Sequence, residues 1–520
     1  MSLILFGGVF ITSERFMNVE NDAKAYLIVV GGFVIMMVCS IFKTGITHFS
    51  EALNSRSLYI GISVVCLYMS VHGLLQYVGL EASRHTSFRI TGTFENPAGF
   101  AAVQTAVFPF VCSLCLEKGK RKVLSFFAIA TLVLCILTVI LSGSRAGMLA
   151  VCVAACVRLT FNTELMQYVK KHRWICLPII LIMAALPVLL YYMKTDSANG
   201  RLFVWGRCLE LISERPLLGH GMNGFSKCYM EAQAAYFSTH PDSPYVMLAD
   251  NITHPFNEYL KLAVDFGIIG IVAAVSLLGY LIVRLVRTDG RIMVTGLAVV
   301  ASVFVFSQFS YPFHYAAVWY VASIAIMPAF LKMESATKTY NSRTMCSASI
   351  ALLVVLMAIM LRSMYLDMKW AEMSKRSLAG NTERMLPYYE KMRHQMKRNP
   401  LFLYNFAAEL NYVGRYEESL AIAEECKTAW NDYDVQILLA DNLENTGRID
   451  EAIDVYGHAA DMIPCRFEPL NSLMALYLSS GDTLSAVRIA ETIVSKPVKV
   501  ESMRVDQIQA EAKKFIDVYR

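Results

Sequence analysis

Charge is what this chain has least of. Asp, Glu, Lys and Arg make up 17% of its 520 residues, where a soluble domain carries about 25%. Hydrophobic residues reach 56% and the mean hydropathy is +0.45. An ordinary soluble enzyme and a disordered chain are therefore excluded. So is a nucleic-acid partner, because the net charge is only +5 and the basic residues sit in short clusters between apolar runs. No Gly-rich phosphate loop or dinucleotide fingerprint occurs, which argues against an ATP-driven pump and against use of nucleotide sugars. Of His220, His240, His254 and Asp250 only Asp250 and His254 stand four apart and none shows finger spacing, so no metal and no other cofactor is expected.

What is present divides the chain in two. Up to about Leu361 long apolar runs follow one another; from about Asp367 to Arg520 charged residues are frequent. The expected organisation is a membrane domain over 1–365, with a long polar loop at 194–258, and a soluble domain over 366–520. A spanning helix needs about 20 apolar residues. Candidates are 25–42, 58–78, 98–116, 123–141, 146–161, 174–193, 259–283, 292–310, 314–331 and 346–364. Leu3–Thr12 is counted as an eleventh; it has neither the basic flank nor the small-residue site of a cleaved signal. The expected class is thus all-α: a polytopic bundle of about eleven spans followed by a helical array.

Lys and Arg set the orientation, because they accumulate in cytoplasmic loops. One set of alternate loops holds Lys118, Lys120, Arg121 and Lys122, then Lys170, Lys171 and Arg173, then Arg284, Arg287 and Arg291, then Lys332, Lys338 and Arg343. The opposite set holds Arg84, Arg89 and Arg145 in its short members. The N-terminus is therefore placed inside, with the long loop and the C-terminal domain outside. In a bacterial inner membrane that side is the periplasm.

The soluble part repeats. Gly414-Arg415-Tyr416-Glu417-Glu418, Gly447-Arg448-Ile449-Asp450-Glu451 and Gly481-Asp482-Thr483 recur at 33 and 34 residues, and Ser419, Ala452 and Ala486 follow five positions after each Gly. This resembles the tetratricopeptide repeat, in which the Gly permits a tight turn and the small residue lets two helices approach. Such an array would offer a concave surface to a protein partner.

Polar groups near membrane depth are costly and so become functional candidates. Five segments qualify, all on the outer side. Arg89–Pro97 reads structurally as a turn with Asn96 as cap and Pro97 at the first helical position. Ser142–Gly147 is a tight turn carrying Arg145. Gly200–Arg207 opens an amphipathic helix, with Arg201 or Arg207 as a clamp for an anion or as an interfacial anchor. Thr253–Glu258 is read as opening a span, with Pro255 at its first position, His254 beside the positive helix end, and Glu258 one turn on to orient it. Ser310–Tyr315 is an aromatic turn carrying His314. Several arginines suit a diphosphate, and a neutral His suits removal of a hydroxyl proton.

The order Gly-Thr-Phe-x-Asn-Pro (92–97), Ser-x-Ser-Arg-x-Gly (142–147), Gly-Arg-x-x-x-Trp (200–205), Glu214–Gly221, then His254 ahead of Asn257-Glu258-Tyr259 resembles the O-antigen ligase family of the bacterial envelope. That family also contains O-antigen polymerases and protein O-oligosaccharyltransferases, and the Tyr311–Tyr315 turn looks like an element of the last branch. The resemblance covers roughly 85–330. It implies a metal-independent, inverting glycosyltransferase of GT-C-like type that moves a glycan from undecaprenyl diphosphate to a hydroxyl of lipid A–core, a glycan or a protein. By position, Arg201 would hold the diphosphate, with Arg145 and Arg89 as further candidates, and His254 would be the general base.

Other readings are weaker. A flippase would need ionisable residues along a path through the bilayer midplane, and the span centres are almost devoid of them. A purely scaffolding anchor would leave the clustered Arg and His unexplained. Asp432-Tyr433-Asp434 is a DxD without a flanking strand and reads as an inter-helix turn. The thirteen cysteines lie mostly in apolar runs; Cys208 and Cys228 share the polar loop and could bridge in an oxidising compartment.

Overall fold

A computed structural model describes residues 1–41, 51–117, 119–162, 194–288, 290–334 and 342–519, with single positions 167, 171, 188, 189, 191 and 192. The expected span 174–193 falls largely outside the described residues, as do Lys118, Lys170, Arg173 and Lys338. Every regular element among the described residues is helical. In chain order these begin with α1 (Ser2–Phe10), α2 (Asp22–Ile41), α3 (Arg56–Tyr77), α4 (Pro97–Cys115), α5 (Lys122–Leu141) and α6 (Arg145–Thr160). Two polar-loop helices follow, α7 (Thr195–Glu214) and α8 (Gly224–Thr239), then apolar α9 (Glu258–Val286), α10 (Gly290–Ser307), α11 (Ala316–Glu334) and the long α12 (Ser342–Arg376). The rest is α13 (Thr382–Met396), α14 (Pro400–Tyr412), α15 (Tyr416–Lys427), α16 (Tyr433–Asn445), α17 (Ile449–Met462), α18 (Glu468–Ser479), α19 (Thr483–Ser495) and α20 (Met503–Tyr519).

Six helices among the described residues are long and apolar enough to cross a bilayer: α3, α4, α5, α9, α10 and the run from Ile350. They coincide with expected spans. α1 does not supply an eleventh by itself, since nine residues rise about 14 Å against a hydrocarbon core of about 30 Å.

By its contacts the chain forms two compact units, Met1–Met193 with Phe256–Tyr259 and Ala273–Ala371, and Lys194–Pro255 with Leu260–Val272 and Glu372–Arg520. In the first, α4 is the central helix, with nearly all its residues buried. Asn96 caps it, its Oδ1 accepting from the Ala98 N–H at 2.8 Å, and Pro97 takes the first helical position. Polar side chains tie the neighbours together, as expected where lipid offers no hydrophobic drive between helices. Buried Gln104 on α4 donates to Ser70 Oγ of α3 at 2.9 Å and accepts from Cys66 Sγ at 3.1 Å. Ser113 and Thr295 meet at 2.7 Å, linking α4 to α10.

In the second unit, the loop helices share a core with the C-terminal helices. Val204, Cys208 and Leu211 of α7 and Phe225, Tyr229 and Met230 of α8 are buried with Tyr433, Ala459, Met462 and Ile463. The contacts thus group residues 194–255 with the C-terminal helices. Those helices pack in consecutive pairs, α14 with α15, α16 with α17, and α18 with α19. The pairs turn at Gly414, Gly447 and Gly481, whose φ values of 80°, 79° and 84° suit a residue without Cβ. Ser419, Ala452 and Ala486 are fully buried where the paired helices meet.

Candidate functional site

In the second unit the candidates gather on the N-terminal part of α7. Arg201 and Trp205 are one turn apart and so share a helix face. The Trp205 Nε1–H donates to the carbonyl oxygen of Pro255 at 2.9 Å, which pins the backbone immediately after His254 to that face. His254 is half-buried.

The segment after it departs from the expected geometry. α9 begins at Glu258, not at Pro255, so His254 does not sit at the first turn of a helix and Glu258 is not one helical turn from it. Two local features delay the helix. Phe256 has φ 55°, a left-handed conformation costly for a bulky residue. Asn257 then caps the helix, its Oδ1 accepting from the Tyr259 N–H at 3.0 Å.

Arg207 is committed elsewhere on α7. Its guanidinium pairs with Glu210 at 2.7 Å and lies 4.2 Å from the centroid of the Tyr236 ring. Cys208 and Cys228 are both free thiols, so these two cysteines of the polar loop do not bridge. Cys208 points into the core, where burial, with Asp265 adding repulsion, pushes its thiol up to about 12. Cys228 instead donates to His220 Nδ1 at 3.5 Å, while His220 Nε2–H donates to the Leu211 carbonyl at 2.9 Å.

One group not singled out from sequence organises this region. Asp265 is 3% exposed. It accepts from the Phe225 N–H at 2.8 Å and from Lys261 Nζ at 2.8 Å, so one carboxylate serves the N-terminus of α8 and a lysine on its own helix. Around it the backbone of Pro216–Gly221 docks onto a break in α9. The Ile268 N–H donates to Pro216 O at 2.8 Å and the His220 N–H to Val264 O at 2.9 Å. Gly267 at the break has φ 59°, and a Cβ there would lie 2.5 Å from the Leu217 carbonyl. The Gly in Glu214–Gly221 and the Asp-x-Gly at 265–267 were the available signals.

In the first unit a second polar cluster forms at the start of α4. Glu95 accepts from Tyr315 OH at 2.6 Å, Asn21 Nδ2 at 2.8 Å and Asn96 Nδ2 at 3.2 Å. Asn96 also donates to Tyr311 OH at 2.7 Å, so one side chain is both cap and bridge. Asn21 and His314 Nε2 are 3.5 Å apart. Asn21, Lys24, His314 and Tyr315 line a cavity of about 100 Å³. Lys24 is 3% exposed and donates to Thr93 O at 2.6 Å, a role that no local motif announces. Arg89 is exposed, its guanidinium 5.6 Å from the Tyr77 ring centroid. Arg145 opens α6 behind the cap Ser144, whose Oγ accepts from the Gly147 N–H at 3.2 Å. Among the described residues no group of three His, Cys, Asp or Glu side chains is placed to hold a metal ion.

Comparison with known proteins bears on the same region. No curated protein matches the chain. The family model described as O-antigen ligase matches residues 130–275. That stretch contains Arg145, Arg201, Arg207, His254 and Glu258, together with Trp205, Asp265 and Gly267, whereas Arg89, Asn96 and His314 lie outside it. Through this segment the chain is similar to the O-antigen ligase family, and six of its described helices are long and apolar enough to cross a membrane.

Proposed function

We propose that the chain is a lipid-linked glycan ligase. It transfers a glycan from undecaprenyl diphosphate to an acceptor hydroxyl, that of lipid A–core, at the periplasmic face of a bacterial inner membrane. The observation that carries this reading is the Trp205–Pro255 hydrogen bond. It lies inside the family match and fixes the His254 segment against the helix face that also bears Arg201.

The chemistry then needs no metal. His254 takes the proton of the acceptor hydroxyl, whose oxygen attacks the anomeric carbon from the side opposite the diphosphate, so the configuration inverts. The carbon–oxygen bond to the diphosphate breaks and its electron pair leaves with the phosphate. Arg201, with its planar fork of donors, stabilises the charge that develops there. Arg145 and Arg89 are further candidates for the diphosphate, and Asn96 and His314 for the glycan. Arg207, paired and stacked, serves the fold of α7. The C-terminal helices are a tetratricopeptide-like docking domain on the periplasmic side.

The test is a gene deletion in the host, complemented by wild type or by His254→Ala, with envelope glycans resolved by size and carrier. Both the deletion and the variant are expected to lose glycan from its final carrier while full-length lipid-linked glycan accumulates. Accumulation of single-repeat lipid-linked units would make the chain a polymerase instead, and loss from a protein carrier would make it a protein transferase. Normal glycans with His254→Ala would remove the base and the mechanism with it.

A further inference from the structure

The C-terminal helices enclose a groove that the transfer chemistry does not use. Its volume is about 450 Å³, within the size of ordinary ligand pockets, about 300–1,000 Å³. Four helices build it. Tyr404 comes from α14, Asp434, Leu438 and Asp441 from one face of α16, Tyr456 from α17 and Glu468 from α18. The spacing 434, 438, 441 is the i, i+4, i+7 stripe of a single helix face, so α16 forms the floor. Asp441 is half-buried there, whereas Asp434 and Glu468 are exposed at the rim.

The lining contains three carboxylates and no Lys, Arg or His. Two of the carboxylates accept from amides, Asp434 from Asn251 at 3.1 Å and Asp441 from Asn411. An amide hydrogen bond solvates a carboxylate without neutralising it; Arg466, outside the lining, acts on Asp434. The imbalance extends beyond the groove. Residues 400–472 hold fourteen Asp and Glu against four Lys and Arg, a net charge of −10 in a chain whose total is +5. A field of one sign focused in a concave site raises the local concentration of opposite charge and selects partners by complementarity. A metal ion is not the occupant that fits, because no three acidic groups among the described residues converge on one point. Aromatic and aliphatic walls beside spaced carboxylates suit apolar stems that end in cations, which is the make-up of Lys and Arg side chains.

We propose that this groove docks an extended polypeptide segment rich in Lys or Arg, carried by a partner protein. The proposal rests on the reading of the C-terminal helices as a docking domain and is independent of the transfer mechanism.

The experiment uses the full chain in detergent and two fluorescein-labelled dodecapeptides, one alternating Lys with Ser and the other Glu with Ser. Fluorescence anisotropy should show saturable binding of the Lys peptide alone, weakening at least tenfold between 50 and 300 mM salt (about these concentrations) as charge is screened. The double variant Asp441→Asn/Glu468→Gln should bind at least tenfold more weakly. Ser472→Lys, which places a cation at the same wall, should abolish binding. Circular dichroism and His254-dependent transfer should stay at wild-type levels in both variants. Binding of the Lys peptide that neither variant changes would overturn the groove as the site while leaving a docking domain in place. Equal binding of the two peptides would overturn the charge selection, and absence of binding by either would remove the docking reading as well.

Discussion

Trp205 contributes to the proposed site through one atom. Its ring packs with the α7–α8 core, yet its Nε1–H is what reaches Pro255 O. Trp205→Phe keeps most of the ring and removes the donor, leaving a carbonyl unpaired beside His254 at a cost of about 1–3 kcal/mol. Because the bond positions the base and not the donor glycan, that cost should appear in turnover. Single-turnover transfer is expected to slow about tenfold or more with little change in donor KM; a change confined to KM would mean that Trp205 does not act through His254. Asp432 makes a different prediction. Burial, the largest cause, lifts its carboxyl to about 6 in the fold from 3.8, against the bonds from Val435 and Asn251. A raised folded value means that the native chain holds the proton more tightly. The group therefore favours folding most below pH 3.8, and that contribution is lost as pH rises through about 6. Asp432→Asn cannot titrate. Its stability relative to wild type should move in its favour by about 2–3 kcal/mol between pH 4 and pH 7.5, read from unfolding midpoints of the full chain at the two pH values.

Among the helices, the interlock of Pro216–Gly221 with the break in α9 is the feature most sensitive to one methyl group. Gly267→Ala puts a Cβ 2.5 Å from the Leu217 carbonyl at a φ of 59°, and backbone cannot yield as a side chain tip does. A loss of about 2–5 kcal/mol is expected, seen as a lowered thermal midpoint in detergent. Gly279→Ala is the control: nothing lies within 4 Å of its Cβ, so the midpoint should hold. This break marks the limit of what the sequence discloses. Hydropathy places α9 correctly because the run is apolar beyond Asp265, but apart from the Asp-x-Gly at 265–267 it carries no sign of an interruption made by contacts with residues 50 positions away. The cap of α4 was legible because Asn96 and Pro97 act locally. Pro255 looked equally local, yet Phe256 and Asn257 defer the helix by three residues. The turns at Gly414, Gly447 and Gly481 were legible for the same reason as Asn96, a positive φ that Gly alone adopts without strain. Asp265 and Lys24 stayed hidden because a charge at the edge of an apolar run shows its value only when its distant partners, the Phe225 N–H and the Thr93 carbonyl, are known.

The division of the chain bears on the part played by residues 366–520. Read as a run of charge after the last span, it looks detachable, and removing it should then alter partner choice while sparing chemistry. The packing argues otherwise. Tyr433, Ala459, Met462 and Ile463 complete the core that α7 and α8 need. Gln233 of α8 donates to the Met462 carbonyl at 2.6 Å, Glu231 pairs with His458 at 2.8 Å, and Asn251, three residues before His254, donates to Asp432 at 2.9 Å. A chain ending near residue 376 would expose Phe225, Tyr229 and Met230, each 2% exposed or less in the intact unit. Each such side chain is worth about 1.5–3 kcal/mol of burial, so the segment carrying Arg201 and His254 would lose its support. The truncated chain is therefore expected to insert, to become protease-sensitive between residues 194 and 255, and to lose glycan transfer altogether. A chain ending at residue 500, which keeps α16 to α19, should retain transfer. If the chain ending near 376 transfers glycan at the wild-type rate with a protected loop, the shared core does not hold the reactive segment, and the C-terminal helices act on partners alone.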